Sequence, residues 1–233
     1  MIRKEWFRPK KLRVLLAWAG ALLLFTHSHV TDMSFRWGVI LMLIGEAIRF
    51  SALGFVEKKG KKLAMSGPYA FVRNPLYVGN FFLGLGLVVI VANWFFIAIF
   101  LVGFPIIYLK TIHNEEKDLR ELFGASYENY YKNVPRIFPR FIPYQSQEPC
   151  SFNWKRIWRH HEYVTVLGIA LLLCGIHLYD ELVREKDTLV SQQWLIIAIV
   201  IIAGALLLER IFISDLKKKF SDGLPNIFTK RKR

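Results

Sequence analysis

The sequence predicts an all-α, multi-pass transmembrane protein with about six membrane helices. Hydrophobic residues make up 54% of its 233 residues and charged residues only 21%. The apolar residues gather in six runs, each close to the roughly 20 residues that cross a hydrocarbon core as a helix. Lys and Arg, 32 in all against 18 acidic residues, are distributed between those runs in alternation. A disordered chain would be poorer in apolar residues, and a disulfide scaffold would need more than two cysteines. A nucleic-acid-binding protein would account for the net charge of +14 but not for the apolar fraction, so no nucleic-acid partner is expected.

The first run, residues 14–30, follows Arg3, Lys4, Arg8, Lys10 and Lys11. No small-residue cleavage site follows Phe25, so it reads as a retained helix rather than a signal peptide. The second, 35–56, carries Arg36, Glu46 and Arg49. Glu46 and Arg49 are three apart, share a helix face, and read as a paired structural element inside the membrane. Runs 76–92 and 94–112 are divided only at Asn93 and form a tight helical hairpin through Ala92-Asn93-Trp94. Pro105 should kink the fourth run. Runs 163–179 and 194–213 complete the set, and Cys150 and Cys174 lie too far apart in character to be an architectural disulfide.

Six Lys and Arg occupy residues 1–13, five 57–75, eight 113–162 and seven 214–233, while the turns on the other side hold almost none. If all six runs span, these four segments share one face of the membrane. Basic loops stay inside, so both termini and the active site are expected to be cytosolic, in a bacterial inner membrane or the endoplasmic reticulum. Lys58-Lys59-Gly60-Lys61-Lys62 and the tail Lys230-Arg231-Lys232-Arg233 suit anionic headgroups. The chain divides into a basic arm and first helix (1–34), a core (35–143), and a linker with an appended helix pair (144–233).

Two cytosolic segments carry chemistry. The first is KKLAMSGPYAFVRNPLYVG, residues 61–79. Gly67-Pro68 is a turn signal, and Pro75 at a first helical turn, with Asn74 as candidate cap, leaves amide donors that can hold a ligand carboxylate. Tyr69, Phe71 and Tyr77 add flat aromatic surface for a purine or a sulfonium. The second is NEEKDLRELFGASYENYYKNVPR, residues 114–136. Here a membrane helix runs into an amphipathic one whose apolar face is Leu119, Leu122 and Phe123, with Gly124 as C-cap. Glu115 and Glu116 fall at the membrane surface, where a carboxylate is either solvated or recruited to a site. The Pro-rich stretch 135–149 reads as an irregular surface strap, and Gly84-Leu85-Gly86 as helix packing rather than a nucleotide loop. His113 reads as interfacial, His160-His161 lack further ligands, and no metal site is expected.

In this order and flanking a helical hairpin, the two segments resemble the isoprenylcysteine carboxyl methyltransferase and phospholipid methyltransferase superfamily. Gly67, Pro68, Tyr69, Arg73, Asn74, Pro75, Tyr77 and Gly79 fit the pattern G-[PI]-Y-x3-R-[HN]-P-x-Y-x-G. Glu115, Glu116, Leu119, Phe123, Gly124, Tyr127, Tyr130, Val134, Pro135, Arg136 and Pro139 fit E-E-x2-L-x3-F-G-x2-Y-x2-Y-x3-V-P-R-x2-P. The resemblance covers residues 35–143.

It implies a cytosolic site for S-adenosylmethionine, with S-adenosylhomocysteine as product, between the loop before the third run and the helix that continues the fourth. The implied cofactor contacts are Lys61, Lys62, Leu63, Ala64, Tyr69, Asn74, Pro75, Leu76 and Tyr77. The implied catalytic residues are Glu115, Glu116 and Arg73, and Thr111, Glu115 and Arg136 would meet the acceptor. The acceptor would be a lipid headgroup, phosphate or amine, or the carboxylate of a prenylated cysteine. Two departures from the pattern matter, and the second, together with the net basic cytosolic face, weighs toward a headgroup. Asn74 stands where many relatives have His, and Thr111, beside Lys110, stands where carboxyl-methylating relatives have Arg. Glu115 would act as base for an amine, and would orient the donor if the acceptor were anionic, with Arg73, Lys110, Arg136 and Arg140 left to hold the anion. Two other readings stay open. A nicotinamide-dependent sterol-type reductase shares R-x-P-x-Y-x-G but commonly follows that Gly with an acid, where this chain has Asn80. The third is a non-catalytic membrane scaffold.

Overall fold

The computed structural model describes residues 29–57, 62–146, 149–183, 189 and 191–222, with side chains described as far as Phe212. Most of the first apolar run, the N-terminal arm, Lys58 to Lys61 and the basic tail lie outside these residues. The described residues form seven α-helices and one 3-10 turn, with no strand. They are α1 (Asp32–Leu53), the 3-10 turn Gly67–Ala70, α2 (Pro75–Val91), α3 (Trp94–Phe123), α4 (Ala125–Asn133), α5 (Trp154–Arg159), α6 (Glu162–Val183) and α7 (Gln193–Asp222). Among the described residues, three stretches are long and apolar enough to cross a membrane: Trp94–Phe123, Glu162–Val183 and Gln193–Phe212. Pro75–Val91 is apolar over 17 residues, and Asp32–Leu53 is longer but carries Asp32, Arg36, Glu46 and Arg49.

α1 starts three residues before the expected run. Thr31 and Ser34 form a reciprocal capping box, the Ser34 amide donating to Thr31 Oγ1 at 3.1 Å and the Thr31 amide to Ser34 Oγ at 2.9 Å. Between α2 and α3 the chain reverses through Ala92, at a left-handed φ of 52°, and Asn93, whose side chain accepts from the Phe95 amide. The expected hairpin turn is thus built from one strained residue and one cap. α3 then runs unbroken past the apolar stretch to Phe123, where Gly124 at φ 53° ends it.

α1 and α2 pack through glycines. A Cβ on Gly86 would sit 2.5 Å from the Gly38 carbonyl oxygen, and one on Gly79 would sit 2.7 Å from that of Gly45. Gly38 thus faces Gly86 and Gly45 faces Gly79, so the helices run antiparallel with backbones almost touching. Such close approach is how apolar helices associate where the hydrophobic effect no longer separates them from lipid. Gly84 and Gly86 are packing residues as expected, Gly84 facing the Phe100 ring of α3. Phe81, Phe100, Phe104, Tyr108 and Tyr77 continue the α2–α3 seam as a chain of ring contacts 4.0 to 5.6 Å between centroids.

Several side chains depart from expectation. The Asn74 side chain makes no cap bond at the start of α2; its amide donates instead to the Arg136 carbonyl at 3.1 Å. Leu122 is exposed, whereas Leu119 and Phe123 pack on a tyrosine cluster. Arg49 does not serve Glu46 chiefly. It makes a bidentate pair with Glu162 at 2.6 and 2.8 Å and donates to Asn80, with Glu46 3.9 Å away.

The chain divides into two compact units at Glu162 and Tyr163. In the first, residues 150–160 return to the end of α1. Asn153 N and Arg156 both donate to the Gly54 carbonyl, Arg156 also reaches Glu57 at 3.2 Å, and Cys150 N donates to Ser66 Oγ. The second unit holds α6 and α7, linked by the Tyr163 hydroxyl donating to Glu209 at 2.7 Å. Cys150 and Cys174 carry no disulfide.

Candidate active site

Around the start of α2 the chain leaves a cavity of about 300 Å3. Its lining comes from the end of α1 (Val56, Glu57), the loop Lys62, Leu63, Ala64 and Tyr69, the α2 start (Arg73, Asn74, Pro75, Leu76, Tyr77), and α3–α4 (Glu115, Leu119, Phe123, Tyr127, Tyr130).

Loop and helix are joined by one buried ion cluster. Glu116 is 3% exposed. Its Oε1 accepts from Arg73 Nε and Nη2 at 3.1 and 3.0 Å, and its Oε2 from Arg136 Nη2 at 2.6 Å. Arg73 Nη1 also donates to the carbonyls of Tyr131 and Val134, both at 2.6 Å, and its guanidinium lies over the Tyr131 ring. A buried carboxylate survives only when paired and hydrogen-bonded, and here two arginines fill its acceptor sites. The hydrogen bonds that Arg136 donates to Glu116 in turn hold its guanidinium above its ordinary pKa.

Beside this clamp stands a tyrosine layer. Tyr127 and Tyr130 are fully buried with Val134, and Tyr130 donates to the Tyr69 carbonyl at 2.7 Å. Burial raises the pKa of Tyr69 and Tyr130, and burial with the nearby Glu116 charge pushes Tyr127 up to about 12. These phenols are therefore neutral at pH 7, presenting flat rings without charge. On the other side of the cavity the Tyr77 hydroxyl donates to Glu115 Oε1 at 2.6 Å, and its ring meets that of Tyr108.

Ten residues expected at the site line this cavity: Lys62, Leu63, Ala64, Tyr69, Arg73, Asn74, Pro75, Leu76, Tyr77 and Glu115. Lys61 lies outside the described residues. Glu116, Thr111 and Arg136 are not in the lining. Glu116 and Arg136 are held by each other, and Thr111 Oγ1 donates back along its own helix to the Ile107 carbonyl at 3.0 Å. Of the cations considered for an anion, Arg140 Nη1 donates to the Asn133 carbonyl and Lys110 is exposed. The lining adds Val56, Glu57, Leu119, Phe123, Tyr127 and Tyr130. Leu119 and Phe123 share one face at the end of α3, and Tyr127 and Tyr130 share one face of α4 beyond the Gly124 break; all four belong to the second motif, which is the signal that marks them. Nothing local marks Glu57 as a site residue, although it stands just before the motif segment; Arg156 holds it there at 3.2 Å.

The profile of the phospholipid methyltransferase family matches residues 15–126, which contain the whole first motif and the start of the second. The chain is 26% identical over 176 residues to the cobalt-zinc-cadmium resistance protein CzcN of Cupriavidus metallidurans, covering 72% of this chain and 81% of that one. It is 37% identical over 83 residues to the protein-S-isoprenylcysteine O-methyltransferase of Schizosaccharomyces pombe, covering 36% and 35%. To the methanethiol S-methyltransferase of Crocosphaera subtropica it is 38% identical over 90 residues, covering 37% and 34%. The chain thus spans about a third of the length of these two named methyltransferases. Profile, relatives and apolar helices point the same way: this integral membrane chain carries a match to the phospholipid methyltransferase family over residues 15–126 and is similar to proteins named as isoprenylcysteine and methanethiol methyltransferases.

Proposed function

We propose that the cavity binds S-adenosylmethionine and that the chain transfers its methyl group to an acceptor presented by the bilayer. The observation that carries this reading is the cavity itself, in which ten motif residues from two distant segments meet around one space. The lining fits such a cofactor. Leu119, Phe123 and the neutral tyrosines offer apolar and flat surface for an adenine ring, and the Lys62 ammonium suits a carboxylate. When bound, the cofactor supplies an electrophilic methyl group on a positively charged sulfur.

What the chain's own residues contribute is alignment and a proton site. Positioning alone supplies several kcal/mol to such a displacement. Glu115, oriented by the Tyr77 hydroxyl, accepts the proton that an amine acceptor must lose. Arg73 and Arg136 are committed to Glu116 and Thr111 to Ile107, which supports an amine-bearing lipid headgroup over a phosphate or a prenylcysteine carboxylate. The relative named for cobalt-zinc-cadmium resistance favours a second reading on the same chemistry, a lipid modification that alters metal tolerance. Loss of the protein would then lower growth in cadmium, whereas unchanged tolerance removes that reading.

Calorimetry on the purified chain tests the cofactor. S-adenosylhomocysteine should bind, and Tyr77→Ala should abolish binding. Absence of heat at high ligand concentration overturns the proposal.

A further inference from the structure

Three large apolar side chains stand out to solvent on the strap after α4. Phe138 is 85% exposed, Phe141 101% and Ile142 72%. Exposed apolar clusters of this kind mark contact surfaces, and the strap's place in the fold says which kind. The strap lies along the chain that leads into α2. Arg73 N donates to the Pro135 carbonyl at 2.8 Å, Arg140 N to the Phe71 carbonyl at 3.0 Å, and Tyr144 N to the Ala70 carbonyl at 2.9 Å. Residues 135–144 are thus tied to residues 70–73, which precede the apolar helix by only a few positions.

The depth of that helix start follows from α3. Tyr77, in the first turn of α2, packs its ring 5.2 Å from Tyr108, near the end of the apolar part of α3. The charged continuation with Lys110, Glu115 and Glu116 begins just beyond. The strap therefore lies at the boundary between the hydrocarbon and the headgroups. Its composition matches that level, with two Phe and one Ile exposed together on a short irregular segment.

We propose that the strap is a monotopic wedge, inserting Phe138, Phe141 and Ile142 among the lipids of the leaflet that faces the cavity. The same strap supplies Arg136 to the Glu116 clamp and Tyr144 to the tyrosine layer. The wedge thereby fixes the height of the cavity relative to the headgroups. This inference does not depend on which acceptor is methylated, or on whether methylation occurs.

Spin labelling of the full chain tests it. With Cys150→Ser and Cys174→Ser as background, a nitroxide is placed at position 141 through Phe141→Cys, at 138 through Phe138→Cys, and at the exposed α4 position 132 through Lys132→Cys. Each variant is reconstituted in nanodiscs of phosphatidylethanolamine and phosphatidylglycerol. Power saturation then compares collision with oxygen, which concentrates in lipid, and with a water-soluble nickel chelate. Insertion gives a higher oxygen-to-nickel ratio at 138 and 141 than at 132. Nickel access at all three positions places the strap in water and overturns the proposal. Protection from both reagents at 138 and 141 means that a protein partner or a second copy covers the strap, and overturns it equally.

Discussion

Two adjacent glutamates, Glu115 and Glu116, have opposite fates on one helix. One turns to the cavity and Tyr77; the other is buried between two arginines. Removing one partner of a buried pair strands the other charges, so Glu116→Ala should lower the unfolding free energy by about 3–5 kcal/mol, read as a clear fall in the midpoint of thermal unfolding. Glu115→Gln should unfold like the unmodified chain and, with an amine acceptor, lose about 100-fold or more in turnover. A stable Glu116→Ala together with an unstable Glu115→Gln would reverse these roles. Tyr127 provides a pH signature. Its folded pKa of about 12 stands above the unfolded value near 10. Stability from keeping this phenol neutral is complete below about pH 10 and is lost as the pH climbs through about 12. Chemical unfolding at stepped pH should show that loss, and Tyr127→Phe should make it smaller, the remainder belonging to Tyr69 and Tyr130, whose pKa values burial also raises.

At the level of elements, the backbone contact between α1 and α2 sets the platform on which Pro75 and Tyr77 stand. A Cβ at Gly86 would press on the Gly38 carbonyl and the Met42 side chain, neither of which can withdraw without moving a helix. Gly86→Val should therefore cost at least about 1–3 kcal/mol, whereas Gly103→Val, with nothing near its Cβ, should cost little beyond helix propensity. Equal thermal midpoints for the two variants would contradict the glycine contact. Much of this level was legible in the sequence. Gly84-Leu85-Gly86 read as packing and Asn93 marked the hairpin, while the seven-residue spacing shared by Gly38 with Gly45 and Gly79 with Gly86 acquires meaning only once the two helices pair. Other features were not, because they depend on pairing across distance. Asn74 looks like a cap until the Arg136 carbonyl arrives beside it from 62 residues away. Arg49 looks like the partner of Glu46 until Glu162 and Asn80 outbid it with better geometry. Glu57 had no pattern of its own, yet Arg156 holds it beside the cavity.

For the whole molecule, the distribution of basic residues remains the guide to orientation. The four basic segments hold 26 of the 32 Lys and Arg, and they include both site segments. We expect six spans with both termini cytosolic. Alkaline phosphatase fused at the C-terminus should then be inactive and a fluorescent protein there should fluoresce, while the reverse pattern would contradict that topology. The site was readable as two motifs, but only the fold divided them into cavity wall and clamp. The central claim is that this cavity carries methyl transfer to a lipid, and methyl-labelled S-adenosylmethionine with total membrane extract tests it most directly. Lipid chromatography should show label in a lipid fraction with the unmodified chain and little or none with Glu115→Gln. Label confined to protein, or no label anywhere despite bound cofactor, would contradict it.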